Sequence, residues 1–356
     1  GSLFFNLIAT LVGTQMNKMS NSASADWVTG PCLDALDIAG YNYASGRYRL
    51  EARLHPQRVI VGSETFPQDI ARNWELVKKY PYVIGDFMWT SWDYLGEAGM
   101  GAWSYDGASG FMKPYPYLAA GCGAVDLAGN IGAPARYAAV VWGLEQNPFI
   151  GVRPLNHPGV RVSKAVWRGT DAIASWAWKN CNGNKAAIEV YADAHKVELL
   201  LNGKSLGKKK LKAFRATFRT RYTPGSLKAI AFDQDGKAIS ESELTSATGK
   251  TCIALKPEET AVQPDEVVFI PIELVGENGI VESNADRQLA VTVEGGTLLG
   301  FGSANPCSEE RFDGGIYTPY YGRCLAVVRA GDGNQVIVRA VGSGVDAAEA
   351  VLAVIG

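Results

Sequence analysis

Histidine is scarce, with three in 356 residues, and the six cysteines are spread widely with no C-x-x-C pair among them. Metal sites built from these residues need them at short, repeated spacings, so the pattern excludes a zinc-ribbon or zinc-finger protein, and it disfavours a disulfide scaffold as well. It suits the reduced thiols of a cytoplasmic protein. A basic excess is also missing: thirty-four Lys and Arg face thirty-six Asp and Glu, for a net charge of −2. Nucleic-acid binders carry a basic total or a basic face, and this chain has neither. No apolar run approaches the roughly 20 residues that cross a bilayer, so a membrane is not an expected partner. His55, His157 and His195 stand outside any nucleophile-elbow or H-E-x-x-H context, and no G-x-G-x-x-G follows a strand, which leaves a Ser-His-Asp hydrolase and a dinucleotide enzyme unsupported. What remains is 47% apolar and 20% charged, an ordinary globular composition with length for two or three domains at about 150 residues each.

Up to about residue 150 strand-like and helix-like runs alternate, the βαβα pattern of a parallel sheet. Helices are expected at Ser2 to Met19, Arg47 to Leu54, Asp69 to Lys79 and Pro134 to Gln146, with strands near Leu36 to Tyr43, Arg58 to Ser63 and Tyr82 to Trp89. Gly1-Ser2 in place of methionine reads as a cut chain; a signal peptide is the competing reading, because Ala23-Ser24-Ala25 imitates a cleavage site, but no positive charge precedes the apolar run. Beyond Val160 the pattern shifts to short alternating runs with turn signals, the mark of β-sandwiches. Expected strands include Ile173 to Trp178, Val197 to Leu201 and Leu227 to Phe232, with Asn202-Gly203 as a hairpin turn. A second set runs through Val267 to Val275, Leu289 to Val293, Cys324 to Arg329 and Val336 to Val341. The expected domains are therefore 1–150, 151–250 and 251–356.

Val59 to Pro67 is an almost wholly apolar strand that ends on Glu64. In an α/β barrel the carboxyl ends of strands carry the reacting groups, since the strand body is walled in by packing; capping of the next helix is the other role open to Glu64. The strand before it ends at Tyr43, and the strand after it runs into Trp89, Trp92, Asp93, Tyr94 and Glu97. A carboxylate among such rings suits a sugar site, because ring faces stack on C–H surfaces while carboxylates and hydroxyls bind OH groups.

Three stretches, Gly-Ser-Glu-Thr-x-Pro at 62–67, Gly-Asp-Phe-Met-Trp-Thr-Ser-Trp-Asp-Tyr-Leu-Gly-Glu at 85–97 and Val-Glu-Leu-Leu-Leu-Asn-Gly-Lys-Ser-Leu-Gly at 197–207, resemble glycoside hydrolase family 2, its β-galactosidase branch above all. Leu-Leu-Gly-Phe-Gly-Ser-Ala-Asn-Pro at 298–306 and Tyr-Tyr-Gly-Arg at 320–323 add to the likeness, which covers nearly the whole chain. The resemblance implies the second part of a (β/α)8 TIM barrel followed by two immunoglobulin-like β-sandwiches, and a retaining hydrolysis of terminal β-galactosides. It makes Glu64 the nucleophile, Tyr43 the residue that orients it, Trp89 a wall of the sugar subsite, Trp92 a further substrate-binding residue, and Asp93 a contact to sugar hydroxyls or an orienter of neighbours. β-Glucuronides, β-glucosides and β-mannosides are alternative substrates, and a non-catalytic carbohydrate-binding or scaffold piece is the alternative role.

The family's acid/base glutamate follows an asparagine, and no Asn-Glu dipeptide occurs here. Three strands are legible where a barrel has eight. The expectation is a chain that begins near the fifth barrel helix and lacks the acid/base, and so hydrolyses natural sugars negligibly by itself. An open half-barrel exposes apolar surface, so it either packs as a homo-oligomer or departs from barrel geometry. No cofactor is required; magnesium or sodium belongs, if anywhere, to the full-length protein. Lys208 to Lys212 reads as a solvated face, Gly300 to Ser303 as a turn, and Tyr317, Tyr320 and Tyr321 as sandwich-edge residues with a carbohydrate surface as the other reading.

Overall fold

A computed structural model describes residues 20–355; the helix expected over Ser2 to Met19 lies outside the described residues. Strands β1 (Ala39–Asn42), β2 (Ile60–Thr65) and β3 (Val83–Met88) form a parallel sheet in that order. The connections carry helices α2 (Tyr48–Leu54) and α3 (Ile70–Lys79), and α1 (Ala23–Leu33) precedes them. Alternation divides the sheet's two faces. Ala39, Tyr41, Ile60 and Val83 pack with Tyr48 and Leu76 on the helix side. On the other side no helix of the described residues covers the strands, and Ile84 and Phe87 are 54% and 65% exposed. Glu51, fully buried in α2, ties the helices to β1: it accepts from the Tyr41 hydroxyl at 2.7 Å, from Arg47 at 2.6 Å and from Arg58 at 2.8 Å.

Gly62 illustrates why β2 carries a glycine before its reactive end. Tyr48 Oη donates to Asp86 Oδ1 at 2.9 Å, and a Cβ on Gly62 would fall on both of those atoms. Thr65 and Asn73 also donate to Asp86, at 2.9 and 3.2 Å. Burial nonetheless pushes the Asp86 carboxyl above its ordinary range.

A long irregular segment, 90–132, follows β3 and is held by isolated backbone pairs such as Trp92 with Val125 and Leu95 with Ala119. Helix α4 (Ala133–Val141) then ends earlier than Gln146, because Gly143 takes a left-handed conformation at φ 76° just past its last turn.

The remaining described chain is chiefly β-sheet. In the first sandwich, β4 (Phe149–Val152), β5 (Lys185–Tyr191) and β8 (Arg215–Arg221) face a sheet of β6 (Lys196–Leu201), β7 (Lys204–Lys210), β9 (Ser226–Phe232) and β10 (Ala238–Thr245). Ile150, Trp176, Trp178, Val197, Leu199 and Phe218 fill the space between. A boundary drawn at residue 150 passes through β4. Asn202 and Gly203 turn the β6–β7 hairpin with φ of 49° and 76°, the pair of left-handed residues that a type I′ turn needs. The run Lys208–Lys210 lies on exposed β7.

Ile173 to Trp178 is not the strand expected. Only Ile173 pairs, with Val152, because side chains take the backbone groups a ladder would use: Ser175 Oγ accepts from Ala177 N at 3.0 Å and the Tyr222 hydroxyl from Trp178 N at 3.1 Å. In the second sandwich, β11 (Cys252–Leu255), β13 (Val267–Val275), β17 (Arg323–Ala330) and β15 (Gly296–Gly302) oppose β12 (Ala261–Val262), β19 (Val345–Val354), β18 (Gln335–Gly342), β14 (Leu289–Glu294) and β16 (Ile316–Tyr317). Gly300 to Gly302 therefore belong to a strand rather than a turn. Phe301 is a core residue, and Gly302 leaves room for the Phe312 ring, which stacks on Tyr317 at 5.3 Å.

Candidate active site

Glu64 is the next-to-last residue of β2, half-buried at the carboxyl end of the sheet. The register slips beside it: Tyr41 pairs with Gly62 but Asn42 pairs with Glu64, and against β3 the register shifts again between Gly62 and Thr65. Such irregularities turn a strand locally and re-aim the side chains that follow. Tyr43 comes straight after β1 at φ 54°, a conformation that costs an L-residue about 1–2 kcal/mol. Its backbone N–H is anchored on the Glu64 carbonyl at 2.7 Å. Its hydroxyl accepts from Trp167 Nε1 at 2.9 Å and lies within the influence of the Glu64 charge. Burial pushes this hydroxyl well above the ordinary tyrosine range, with the Trp167 N–H opposing and the Glu64 charge reinforcing. Tyr43 therefore keeps its proton at neutral pH.

Aromatic rings build a bowl around this pair. Phe66 lies 4.4 Å from Tyr43, centroid to centroid, and Trp167 stands edge-on to both Phe66 and Phe111 at 5.6 and 5.1 Å. Trp89 enters from β3 with its backbone N–H on the Thr65 carbonyl at 2.9 Å and a cis peptide to Thr90. Its ring meets Tyr94 edge-on at 6.0 Å, and the Tyr94 hydroxyl donates to Glu97. Met100 and Cys122 close the floor against Trp89, Tyr94, Phe111 and Trp167. Burial, and after it the Asp93 charge, pushes the Cys122 thiol up to about 12, so it is a packing group and not a nucleophile.

Asp93 bonds the backbone of a neighbouring loop. It is buried, and its two oxygens accept from the backbone N–H groups of Gly121 at 3.1 Å and Gly123 at 3.2 Å. Arg168 Nη1 donates to the carbonyls of the same two glycines, at 3.3 and 3.1 Å. The tripeptide that carries Cys122 is thus gripped through its amides by one side chain and through its carbonyls by another. Trp92 stands apart from this arrangement, 57% exposed, with its ring beside Gly129.

The fold therefore brings Glu64, Tyr43 and Trp89 to one rim, turns Asp93 inward and leaves Trp92 on the surface. Trp167, Arg168, Phe111 and Cys122 complete the site, and no motif announces them; the sole trace is a Trp-Arg pair in the irregular stretch ahead of β5. Asp86, the carboxylate nearest along β3, bonds Tyr48, Thr65 and Asn73 and is not a second acid for this bowl. Among the described residues no cluster of His, Cys, Asp and Glu is arranged to hold a metal ion, and no helix is long and apolar enough to cross a membrane.

Residues 253–351 match the model of glycoside hydrolase family 2 C-terminal domain 5, and residues 183–240 match a domain of unknown function, DUF4982. The chain is 28% identical over 260 residues to β-galactosidase BoGH2A of Bacteroides ovatus, covering 72% of this chain and 26% of that protein. It is 29% identical over 179 residues to a putative β-glucuronidase of Formosa agariphila, covering 49% of this chain and 14% of that one. Among solved structures, a glycosyl hydrolase family 2 member from Bacteroides cellulosilyticus superposes with a TM-score of 0.82 at 30% identity, covering 94% of this chain and 44% of that one. The chain thus spans about a quarter or less of these curated relatives and under half of the solved one.

Proposed function

We propose, from a chain that belongs to glycoside hydrolase family 2 and carries its C-terminal domain, that residues 20–150 form the nucleophile-bearing part of a retaining β-galactosidase. The parallel sheet is then the later portion of a (β/α)8 barrel, and the two sandwiches are immunoglobulin-like modules that follow it. Glu64 attacks the anomeric carbon as a carboxylate and forms a glycosyl–enzyme ester, which water then cleaves. The observation that carries this reading is the placing of Glu64 at the carboxyl end of β2 beside the Tyr43 hydroxyl, which Trp167 holds at 2.9 Å and which feels the Glu64 charge. On this reading the hydroxyl orients the carboxylate as a neutral partner, without a cation that would quench its nucleophilicity.

Trp89, Trp167 and Tyr94 supply ring faces for the sugar's C–H surface. Retaining chemistry also needs an acid/base carboxylate about 5 Å from the nucleophile, and no Asn-Glu dipeptide supplies the family's one in this sequence. Loss of general-acid assistance costs about 10²- to 10⁴-fold, so this chain alone turns over natural galactosides negligibly. The reading requires no cofactor.

Covalent trapping tests it. 2,4-Dinitrophenyl 2-deoxy-2-fluoro-β-galactoside has a leaving group that needs no protonation. Peptide mass spectrometry is expected to find one fluorogalactosyl unit on Glu64, and none in Glu64→Gln. An unlabelled Glu64, or a label that persists in Glu64→Gln, overturns the assignment.

A further inference from the structure

Residues 185–221 hold ten Lys and Arg against three Asp and Glu, in a chain whose totals are nearly even. The even total conceals a basic face, because the fold gathers these side chains. Strand alternation sends Ala186, Ile188, Val190, Ala216 and Phe218 into the core of the first sandwich, so Lys185, Arg215, Thr217, Arg219 and Arg221 take the outer face of the β5–β8 pair. β8 is the edge of its sheet, and Lys209 of β7 reaches across to it, donating to the Thr217 carbonyl at 2.6 Å. Lys185 stands directly opposite Arg221, a like-charge pairing that is destabilising by itself and that an anion between the two relieves.

The same face runs into a cleft of about 390 Å³, walled by Arg153, Arg215 and Thr217 together with Trp103 and Lys164. Glu189, the carboxylate of its wall, is 2% exposed and already accepts from Arg153 at 2.8 Å, Thr170 at 2.9 Å and Tyr191 at 2.6 Å. Arg153 and Glu189 therefore neutralise each other, and Lys164 and Arg215 leave the cleft positive. The ion pairs of this part of the chain join Arg153 to Glu189 and Asp171, and Lys208 to Glu198; among the described residues none reaches Lys164, Lys185, Arg215, Arg219 or Arg221. Lys164 meets the Trp103 ring at 5.2 Å, Arg215 the Tyr137 ring at 5.8 Å, and Arg221 donates to the Gly183 carbonyl at 2.8 Å. Trp103 is fixed by its indole N–H on the Ala165 carbonyl at 3.1 Å. The segment that carries Lys164 also serves the bowl: Val166 and Gly169 line the cleft, while Trp167 between them packs in the bowl.

We propose that the cleft and the outer face of β8 form one docking surface for an acidic polysaccharide, whose uronate carboxylates meet Lys164 and Arg215 in the cleft and Arg219, Arg221 and Lys185 beyond it. The choice of a polysaccharide rests on the glycosidase reading; the charge it must carry follows from the surface itself. Guanidinium forks match carboxylates in a bidentate manner, and residues two apart on a strand stand about 7 Å apart, so Arg219 and Arg221 address successive anionic groups of an extended chain. A single-stranded nucleic acid is the poorer fit, because it needs exposed rings for its bases to stack on, and no aromatic ring is exposed on β5, β7 or β8.

The test is fluorescence anisotropy of a dye-labelled oligogalacturonate titrated with the chain, with a neutral β-galacto-oligosaccharide and a thymidine oligonucleotide as competitors. Two double variants empty the surface, Lys164→Gln with Arg215→Gln in the cleft and Arg219→Gln with Arg221→Gln on β8. A third, Lys250→Gln with Arg339→Gln, removes the same charge from exposed positions elsewhere. Each is checked for an unchanged melting temperature. Saturable binding is expected to weaken by about fivefold or more in each of the first two variants, to stay within about twofold in the third, and to fade as salt is added. The neutral oligosaccharide is expected not to compete, and the oligonucleotide to compete at least about fivefold less well than unlabelled oligogalacturonate. Absence of saturable binding overturns the proposal, as do equal losses in all three variants, competition by the neutral sugar, or an oligonucleotide that competes as well as the oligogalacturonate. Glu64 labelling stays unchanged in the Arg219→Gln, Arg221→Gln variant, and oligogalacturonate binding stays unchanged in Glu64→Gln, so failure of this surface and failure of the glycosidase assignment give different results.

Discussion

Trp167→Phe isolates one hydrogen bond in the candidate site. The ring that packs edge-on against Phe66 and Phe111 is largely kept, while the N–H that reaches the Tyr43 hydroxyl at 2.9 Å is lost. A neutral hydrogen bond of this kind contributes about 1 kcal/mol net, or about fivefold in a rate that depends on it. If the Tyr43 hydroxyl orients Glu64 as proposed, Tyr43→Phe removes donation to a charged acceptor, worth about 1.5–3 kcal/mol, so about 10- to 150-fold. If Trp167 acts by aiming Tyr43, its effect requires the hydroxyl, and the double variant is then no slower than Tyr43→Phe alone. The expected coupling energy is about 1 kcal/mol. The assay is the rate at which 2,4-dinitrophenyl 2-deoxy-2-fluoro-β-galactoside adds mass to the chain. An equal slowing by Trp167→Phe with and without the Tyr43 hydroxyl would falsify this reasoning, because it would place Trp167 on the sugar and not on Tyr43.

Asp93→Asn replaces one of the two acceptors for Gly121 and Gly123 by a donor; a loss of about 1–3 kcal/mol in urea-unfolding stability is expected, together with slower labelling of Glu64, and unchanged stability would mean that the clamp is ornamental. Gly62→Ala forces apart Tyr48 and Asp86, with an expected cost of about 2 kcal/mol or more, and a melting temperature equal to that of the starting protein contradicts it. Lys113 is buried and donates to the Gly99 and Ala102 carbonyls, and burial pulls its amine down from 10.5 to about 8. Between those values the unfolded chain binds the extra proton, so this group's contribution to stability rises with pH from about 8 to 10.5. Unfolding curves across that range should show the rise in the starting protein and lose it in Lys113→Met; a fall with pH would reverse the sign and refute the assignment.

Much of this molecule is legible in one dimension. Period-2 runs such as Val267–Val275 and the Asn202-Gly203 turn specify strands and a hairpin through local sterics alone. An apolar strand that ends in Glu64, flanked by strands that end in Tyr43 and Trp89, places three site residues on one rim, because parallel strands share the direction in which they end. Local pattern misleads where side chains compete with the ladder, as at Ile173 to Trp178, where Ser175 and Tyr222 capture the backbone amides. It misleads again at Gly300 to Gly302, where glycine makes room for Phe312 and does not turn the chain.

Other outcomes depend on residues far apart in sequence. Trp167 reaches Tyr43 across 124 positions, Arg168 grips glycines more than 40 positions away, and Tyr320 and Tyr321 close a cavity begun by Asp126. No periodicity encodes such meetings, since they follow from how the sandwiches dock on the sheet. The backbone bonds of Asp93 are equally invisible from its position in the chain: they depend on two amides 28 and 30 residues downstream, which the folded loop brings within hydrogen-bond reach of its carboxylate. The sequence determined which residues end the strands, because that is a matter of local backbone preference; the tertiary structure decided which of them are buried and which are bonded, because burial and hydrogen-bond partners exist only once distant segments pack.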